Sequence, residues 1–212
     1  MQLYSYFRSS AAFRVRIALA IKGLTAEIVP VHLLQDGGQQ HSPAYVQLNP
    51  SELVPTLQDQ EHVLTQSLSI LEYLEEQYPD PRLLPQAAHL RAQVRAFCLN
   101  IACDIHPLNN LRVLQYLTGT LKLSDIEKNQ WYQHWIVTGL NSLEAQLQAT
   151  AGKFCFGDQL TMADCCLIPQ VYNAKRFQID LSAYPLIEAV YAQCMTLPAF
   201  IEAAPEQQPD AA

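Results

Sequence analysis

The 212-residue sequence predicts an α/β domain over residues 1–83 followed by an all-α domain over residues 84–212. Three observations predict it. Short strand-like and helix-like pieces alternate in the order βαβ, α, ββα as far as Tyr78. The segment Pro79-Asp80-Pro81-Arg82-Leu83-Leu84-Pro85 is then a proline-rich connector of the kind found at domain boundaries. Beyond it the strand signals disappear and long amphipathic patterns take over.

Each element has a local cause. Leu3–Phe7 is a short apolar strand. Ser9-Ser10 precedes a run with Val15, Ile17, Ala18, Leu19 and Ile21 that ends at Lys22-Gly23, a helix with hydroxyls at its start and Gly just past its end. Glu27–Leu34 is β-like, and Pro30 confines it to an edge or a bulge. Ser42-Pro43 opens a short helix that stops at Asn49-Pro50. Val54–Asp59 and His62–Gln66 are strands around a turn at Gln60-Glu61, and Ser67 starts a helix with apolar Leu68, Ile70, Leu71, Leu74 and Tyr78. In the second half, Ala87–Leu117 is one helical pattern with a break expected near His106, because Pro107 cannot donate. Ser124–Ala149 is another long helix. Thr161-Met162-Ala163-Asp164 reads as a capping box, and a further helix spans about Tyr184 to Met195. The tail from Pro205 has little to fold around and is expected to be loose.

Composition excludes several classes. Half the residues are hydrophobic and 16% are charged, too apolar for general disorder. No apolar run approaches the ~18 residues of a membrane span, and Met1–Arg8 lacks the pattern of a signal peptide, so a cytoplasmic protein is expected. The net charge of −7 divides as −4 over residues 1–83 and −3 over 84–212, leaving no basic half for nucleic acid. All six cysteines lie in the second half without Cys-x-x-Cys spacing; free buried thiols are expected, with no disulfide framework and no metal site.

Five places could carry chemistry. Arg8-Ser9-Ser10 puts a guanidinium and two hydroxyls at a helix start, where free N–H groups favour an anion; a plain cap is the other reading. Val54-Pro55 is either an ordinary strand start or a cis bond that leaves the Val54 main chain free to pair with a peptide-like ligand. Gln66-Ser67 repeats the first motif, an amide beside a helix-capping hydroxyl. In the second half, Asp104 to Arg112 is dense in polar groups around Pro107, and Arg176 sits near a helix end, where a cation also serves the dipole.

The run Tyr4-Ser5-Tyr6-Phe7-Arg8-Ser9-Ser10-Ala11-Ala12-Phe13-Arg14-Val15-Arg16-Ile17-Ala18-Leu19 resembles the signature of zeta-class glutathione transferases, the maleylacetoacetate and maleylpyruvate isomerases. So do Asp36-Gly37-Gly38-Gln39-Gln40, Leu48-Asn49-Pro50 with Val54-Pro55, Gln66-Ser67-Leu68-Ser69-Ile70, and Gly157-Asp158 through Thr161-Met162-Ala163-Asp164. The resemblance spans nearly the whole chain. It implies a thioredoxin-like N-terminal domain, a helical glutathione-transferase C-terminal domain and a homodimer. It also implies a glutathione thiol at Ser9 and Ser10, with Ala11 beside them, the cysteinyl unit on the Val54 main chain and the γ-glutamyl carboxylate on Gln66-Ser67. Gln40 would lie near the glycyl end, and His106, Asn110 and Arg112 would close the site. Arg8 and Arg176 match positions that hold the carboxylates of a small dicarboxylate oxoacid, and Arg112, not shared by every member, is a further candidate that would mark the smaller diacid substrate. The family commonly reads Ser-Ser-Cys; here Ala11 removes the protein thiol.

The implied reaction is cis–trans isomerisation of a maleyl-type oxoacid by thiolate addition, bond rotation and elimination. A free thiol titrates near ~8.5, and lowering that by two units needs roughly 2.7 kcal/mol. A hydroxyl hydrogen bond to a charged partner supplies roughly 1.5–3 kcal/mol. A helix N-terminus adds about 0.3–1 kcal/mol. Ser9 at a helix start therefore suffices without a general base, and the arginines can bind carboxylates and developing enolate charge. Two other readings are a transferase acting on small electrophiles such as α-haloacids and a non-catalytic binding scaffold. The Ser-Ser pair and the three arginines disfavour the scaffold.

Overall fold

The computed structural model describes residues 1–211 and groups them into two compact units, Met1–Leu84 with the C-terminal segment from Met195, and Pro85–Cys194. The last segment thus joins the sheet-bearing unit, where the sequence reading put all of 84–212 in the helical domain.

The first unit is a four-stranded mixed sheet in the order β2-β1-β3-β4, with β1 Gln2–Ser5, β2 Glu27–Pro30, β3 Thr56–Asp59 and β4 His62–Thr65. β1 pairs parallel with β2 and antiparallel with β3, which pairs antiparallel with β4. Pro30 falls on the edge strand, where its missing N–H interrupts no inner ladder. The helices are α1 Ser10–Ile21, α2 Pro43–Leu48 and α3 Ser67–Gln77. Leu3, Ile17, Leu57, Ile70, Leu71 and Leu74 are fully buried in this unit, each contributing roughly 1.5–3 kcal/mol. At the C-terminus of α1, Gly23 takes φ +65°, the left-handed conformation that ends a helix cheaply. Lys22 is buried there and donates to Glu75 and to the Tyr78 and Pro81 carbonyls, while Glu75 also accepts from the Leu83 and Leu84 N–H groups. The connector is therefore pinned to its own unit as far as Leu84.

In the helical unit, α4 Ala88–Leu99 passes through a wide π turn at Asn100–Ile105 and a tight 3₁₀ turn at His106–Asn109 before α5 Leu111–Gly119. The expected kink at His106 is thus spread over ten residues upstream and downstream of Pro107. A proline ring clashes with the carbonyl four residues back and cannot donate to it, and that carbonyl is on Cys103, inside the wide turn. Gly139 of α6 Asp125–Thr150 admits this bulge, since a Cβ there would come within 2.2 Å of Ile105. At the centre lies α7 Met162–Arg176, buried on every side from Met162 to Val171, with α8 Pro185–Cys194 beside it. The expected box forms, Thr161 with Asp164 on α7, and α6 carries a second one that was not foreseen, Ser124 with Glu127. Five cysteines are buried free thiols; Cys103 is exposed on the wide turn, against the expectation that all six are buried.

The tail is not loose. α9 Pro198–Glu202 and a 3₁₀ turn at Pro205–Gln207 lead to Asp210, and the segment is bonded to the β1–α1 turn. Its partners are backbone and arginine groups far away in sequence, so no local signal announced them. Among the described residues no helix is long and apolar enough to cross a membrane, and no cluster of His, Cys, Asp and Glu could hold a metal ion.

Candidate functional site

Topology collects the sequence motifs of the first unit at one edge of the sheet. β2 and β4 run in the same direction as β1, so the loops after all three leave from the same edge, and antiparallel β3 begins there. Ser9, Gln40, Val54 and Gln66-Ser67 occupy those four junctions.

Ser9 caps α1, its Oγ accepting the Ala12 N–H at 3.2 Å. That contact uses a lone pair, and no described residue accepts the Ser9 hydroxyl proton. The Ala11 N–H likewise has no acceptor among the described residues, and the first turn of α1 contains no acidic side chain. The terminus thus offers an O–H, an N–H and a positive dipole end with no anion of its own. Ser9 and Ala11 are half-buried, Ser10 is buried, and Arg8 is exposed with its guanidinium over the Phe7 ring at 4.8 Å.

The Val54–Pro55 bond is cis, and Val54 packs with Tyr6, Val31 and Tyr45 while its N–H and C=O have no partner among the described residues. Gln66 and Ser67 differ from expectation. Gln66 is the N-cap of α3 and Ser67 lies inside the helix, where its hydroxyl accepts from Arg14 Nη1 at 3.1 Å instead of capping. Gln66 holds φ +67°, a left-handed conformation costing a non-glycine residue of order 1–3 kcal/mol and typical of ligand clamps. Its side chain is exposed and makes no cap bond. Gln40 is buried, donating to the Leu33 carbonyl and contacting His41, over a glycine that has no alternative: a Cβ on Gly38 would meet the Gln40 amide at 2.5 Å.

In the helical unit, Asn110 caps α5, with its Oδ1 accepting the Arg112 N–H at 3.2 Å; Arg112 is exposed and His106 lies half-buried in the 3₁₀ turn. This segment is bound to α6 through Asn109 Nδ2, which donates to the Tyr132 carbonyl at 3.2 Å, and through Trp131 Nε1, which donates to the Leu108 carbonyl at 2.8 Å. Tyr132 is also the link to Arg176. Its ring stacks on Phe177 at 3.6 Å, and the Arg176 guanidinium sits over Phe177 at 4.9 Å. Burial pushes the Tyr132 hydroxyl up to about 12, opposed by the nearby Arg176 charge. Tyr132 therefore borders both Asn109, next to the expected Asn110, and the expected Arg176.

Residues 1–76 match the glutathione S-transferase N-terminal domain and residues 129–193 the glutathione S-transferase C-terminal domain. The chain is 56% identical over 209 residues to the probable maleylacetoacetate isomerase of Vibrio cholerae, covering 99% of this chain and 97% of that protein. A holo maleyl pyruvate isomerase, described as a bacterial glutathione S-transferase in the zeta class, superposes with a TM-score of 0.97 at 47% identity over 100% of both chains. The chain belongs to the zeta class of glutathione transferases. A maleylacetoacetate isomerase from Methylobacterium extorquens, solved with malonate and GSH bound, also matches at TM-score 0.96 and 40% identity over 100% of both chains.

For a zeta-class chain, three supports of the sheet-edge site escaped the sequence reading. Arg14 holds Ser67, while Arg16 and Asp210 hold the turn before Ser9. Both arginines are buried on a helix whose apolar spacing gives them no place to hide; only the run of charge inside an otherwise apolar segment could have flagged them. Tyr132 left no signal beyond its place one turn from Trp135.

Proposed function

We propose that this protein is a glutathione-dependent cis–trans isomerase of a maleyl-type oxoacid, acting on maleylacetoacetate or maleylpyruvate. The observation that carries the reading is the α1 terminus, where the Ser9 proton and the Ala11 N–H are both unspent among the described residues and the helix's first turn holds no carboxylate. The donor set fits glutathione: the strained Gln66 junction and the Val54 main chain suit an extended peptide with a carboxylate, and Gln40 stands beside them on the same edge. Bound glutathione supplies the thiol nucleophile that makes rotation about the double bond possible.

The chain's own groups do the rest. Ser9 donates its proton toward sulfur, and with the helix terminus it favours the charged form by the 2 to 4 kcal/mol that roughly sums a charge-assisted hydrogen bond and a dipole end. Ser10, buried at the first position of α1, is the second hydroxyl of the pair at the thiol. Arg8, Arg112 and Arg176 hold carboxylates of the oxoacid, with planar forks suited to that geometry, and His106 and Asn110 complete the glutathione contacts. Ala11 contributes a backbone donor and no thiol. The reading includes a cytoplasmic homodimer, which sedimentation at micromolar protein checks.

The test is to supply each cis oxoacid with and without glutathione and follow the ultraviolet change. Turnover that requires glutathione is expected. Ser9→Ala should reduce it roughly 10- to 100-fold, the rate equivalent of a 1.5–3 kcal/mol hydrogen bond. Wild-type protein that turns over neither oxoacid refutes the isomerase.

A further inference from the structure

The turn that carries Arg8 and Ser9 is held from outside itself. The Phe7 N–H donates to Asp210 Oδ2 at 2.9 Å. The Phe7 carbonyl accepts from Arg16 Nη2 at 3.0 Å, and the same guanidinium donates to Ser5 Oγ at 3.1 Å and to the Ala203 carbonyl at 2.9 Å. A local bond also crosses this turn, from the Ser9 N–H to the Tyr6 carbonyl at 2.9 Å. Both main-chain groups of a residue two positions before Ser9 are thus fixed by side chains, one of them on the C-terminal segment and the other anchored to it.

We propose that Asp210 is a positioning residue for the Ser9 hydroxyl. A carboxylate accepting a backbone N–H makes a charge-assisted bond, shorter and stronger than a neutral one. With Phe7 clamped, the backbone leading into Ser9 has one course, and Ser9 keeps its lone pair on Ala12 and its proton available. Without the clamp the hydroxyl samples other directions, and its bond to a bound thiolate weakens. The proposal rests on reading Ser9 as the donor to the glutathione thiol. A charge effect alone has the opposite sign: deleting a nearby negative charge would stabilise the thiolate and lower the thiol pKa.

The experiment compares wild type with Asp210→Ala, Asp210→Asn and, as a charge control on the same segment, Glu202→Gln. Three readouts are taken: amide hydrogen exchange at Phe7, the pKa of the thiol in the glutathione complex from thiolate absorbance, and kcat and KM with the oxoacid. For Asp210→Ala, Phe7 exchange should rise at least about tenfold, the measure of a lost protecting bond near 1.4 kcal/mol. The thiol pKa should rise by about 0.5–1 unit and kcat at neutral pH fall about 3- to 10-fold, each unit being tenfold in thiolate. KM for glutathione should stay within about twofold of wild type, because the tripeptide contacts are elsewhere. Asp210→Asn keeps an acceptor oxygen and should restore most of each effect; Glu202→Gln should change none. Unchanged Phe7 exchange in Asp210→Ala overturns the proposal, as does faster exchange with an unchanged or lowered thiol pKa. The thiol pKa and exchange are read without oxoacid, so failure of the isomerase assay in wild type refutes the proposed reaction and leaves this inference to its own readouts.

Discussion

Helices α1 and α7 begin with the same device and use it oppositely. Each is capped by a hydroxyl, Ser9 on α1 and Thr161 on α7. On α7 the third helical residue is Asp164, whose carboxylate accepts from the Thr161 N–H and hydroxyl and from the Cys155 N–H, all in the interior. That terminus is saturated by the chain's own anion. On α1 the corresponding position is Ala12, and the terminus keeps its donors. A helix start becomes a binding site through what it lacks: whichever carboxylate is nearest will take the donors, and if the sequence supplies none a ligand can.

The comparison can be broken by putting a carboxylate at the α1 terminus, on half-buried Ala11 beside the buried Ala12 that corresponds to Asp164. Ala11→Asp puts a carboxylate in the first turn of α1. Two like charges about 4 Å apart near a protein surface repel by roughly 4 kcal/mol, so turnover should fall roughly 100- to 1,000-fold. The fold should survive, since an acid in the first turn suits the helix, and circular dichroism with turnover checks both. Removing the acid from α7 is the mirror experiment. Asp164→Ala leaves two buried N–H donors without acceptors at roughly 1–3 kcal/mol each, so stability in denaturant should drop by about 2–5 kcal/mol. Turnover per folded molecule should stay within about twofold.

The other end of α7 sharpens the contrast, because it carries Arg176, the residue proposed to hold an oxoacid carboxylate. Arg176→Ala should lower oxoacid efficiency roughly 10-fold or more, the equivalent of one charge-assisted contact, while glutathione affinity holds. Equal losses in both measurements would put Arg176 on glutathione. The smallest effect belongs to α6, whose Ser124–Glu127 box lies on the surface. The Ser124 N–H and hydroxyl hold the Glu127 carboxyl below its ordinary range. A lowered folded pKa contributes stability above the ordinary glutamate pKa of ~4.3 and loses it as pH falls through the folded value. Glu127→Gln should therefore lower Tm slightly at neutral pH, and the difference should vanish on acidification. Asp164, raised by burial, has the opposite sign: its ionised form is the disfavoured one, so acidification relieves the folded state there.

What the sequence made legible were features with local causes. The Ser9 cap, Gly23 beyond α1, Pro30 on an edge strand and the Thr161–Asp164 box each follow from a handful of neighbouring residues. The same holds for the placement of Val54 and Gln40 at junctions. Features with distant causes were not legible. Arg14 and Arg16 are buried because acceptors arrive from Ser67 and Ala203, 53 and 187 positions away, and no local window of sequence contains both ends of those bonds. Ser67 reads as a cap until Arg14 is known to claim it. The wide turn at Asn100–Ile105 shows in sequence only as Pro107, which marks where a helix fails without stating how the strain is shared.

The contacts that hold the Ser9 turn also order events in time. Phe7 and Asp210 are 203 positions apart, and Arg16 and Ala203 are 187 apart. At about 5–20 residues per second, a ribosome that has just made the turn needs roughly 10–40 s to deliver those partners. The sheet can pair and bury its apolar face in that interval, because its strands all lie before residue 66. The turn cannot be fastened. A nascent chain would thus pass through a stage in which its scaffold exists and the proposed reactive corner does not, and the corner is completed only once Ala203 and Asp210 have been made.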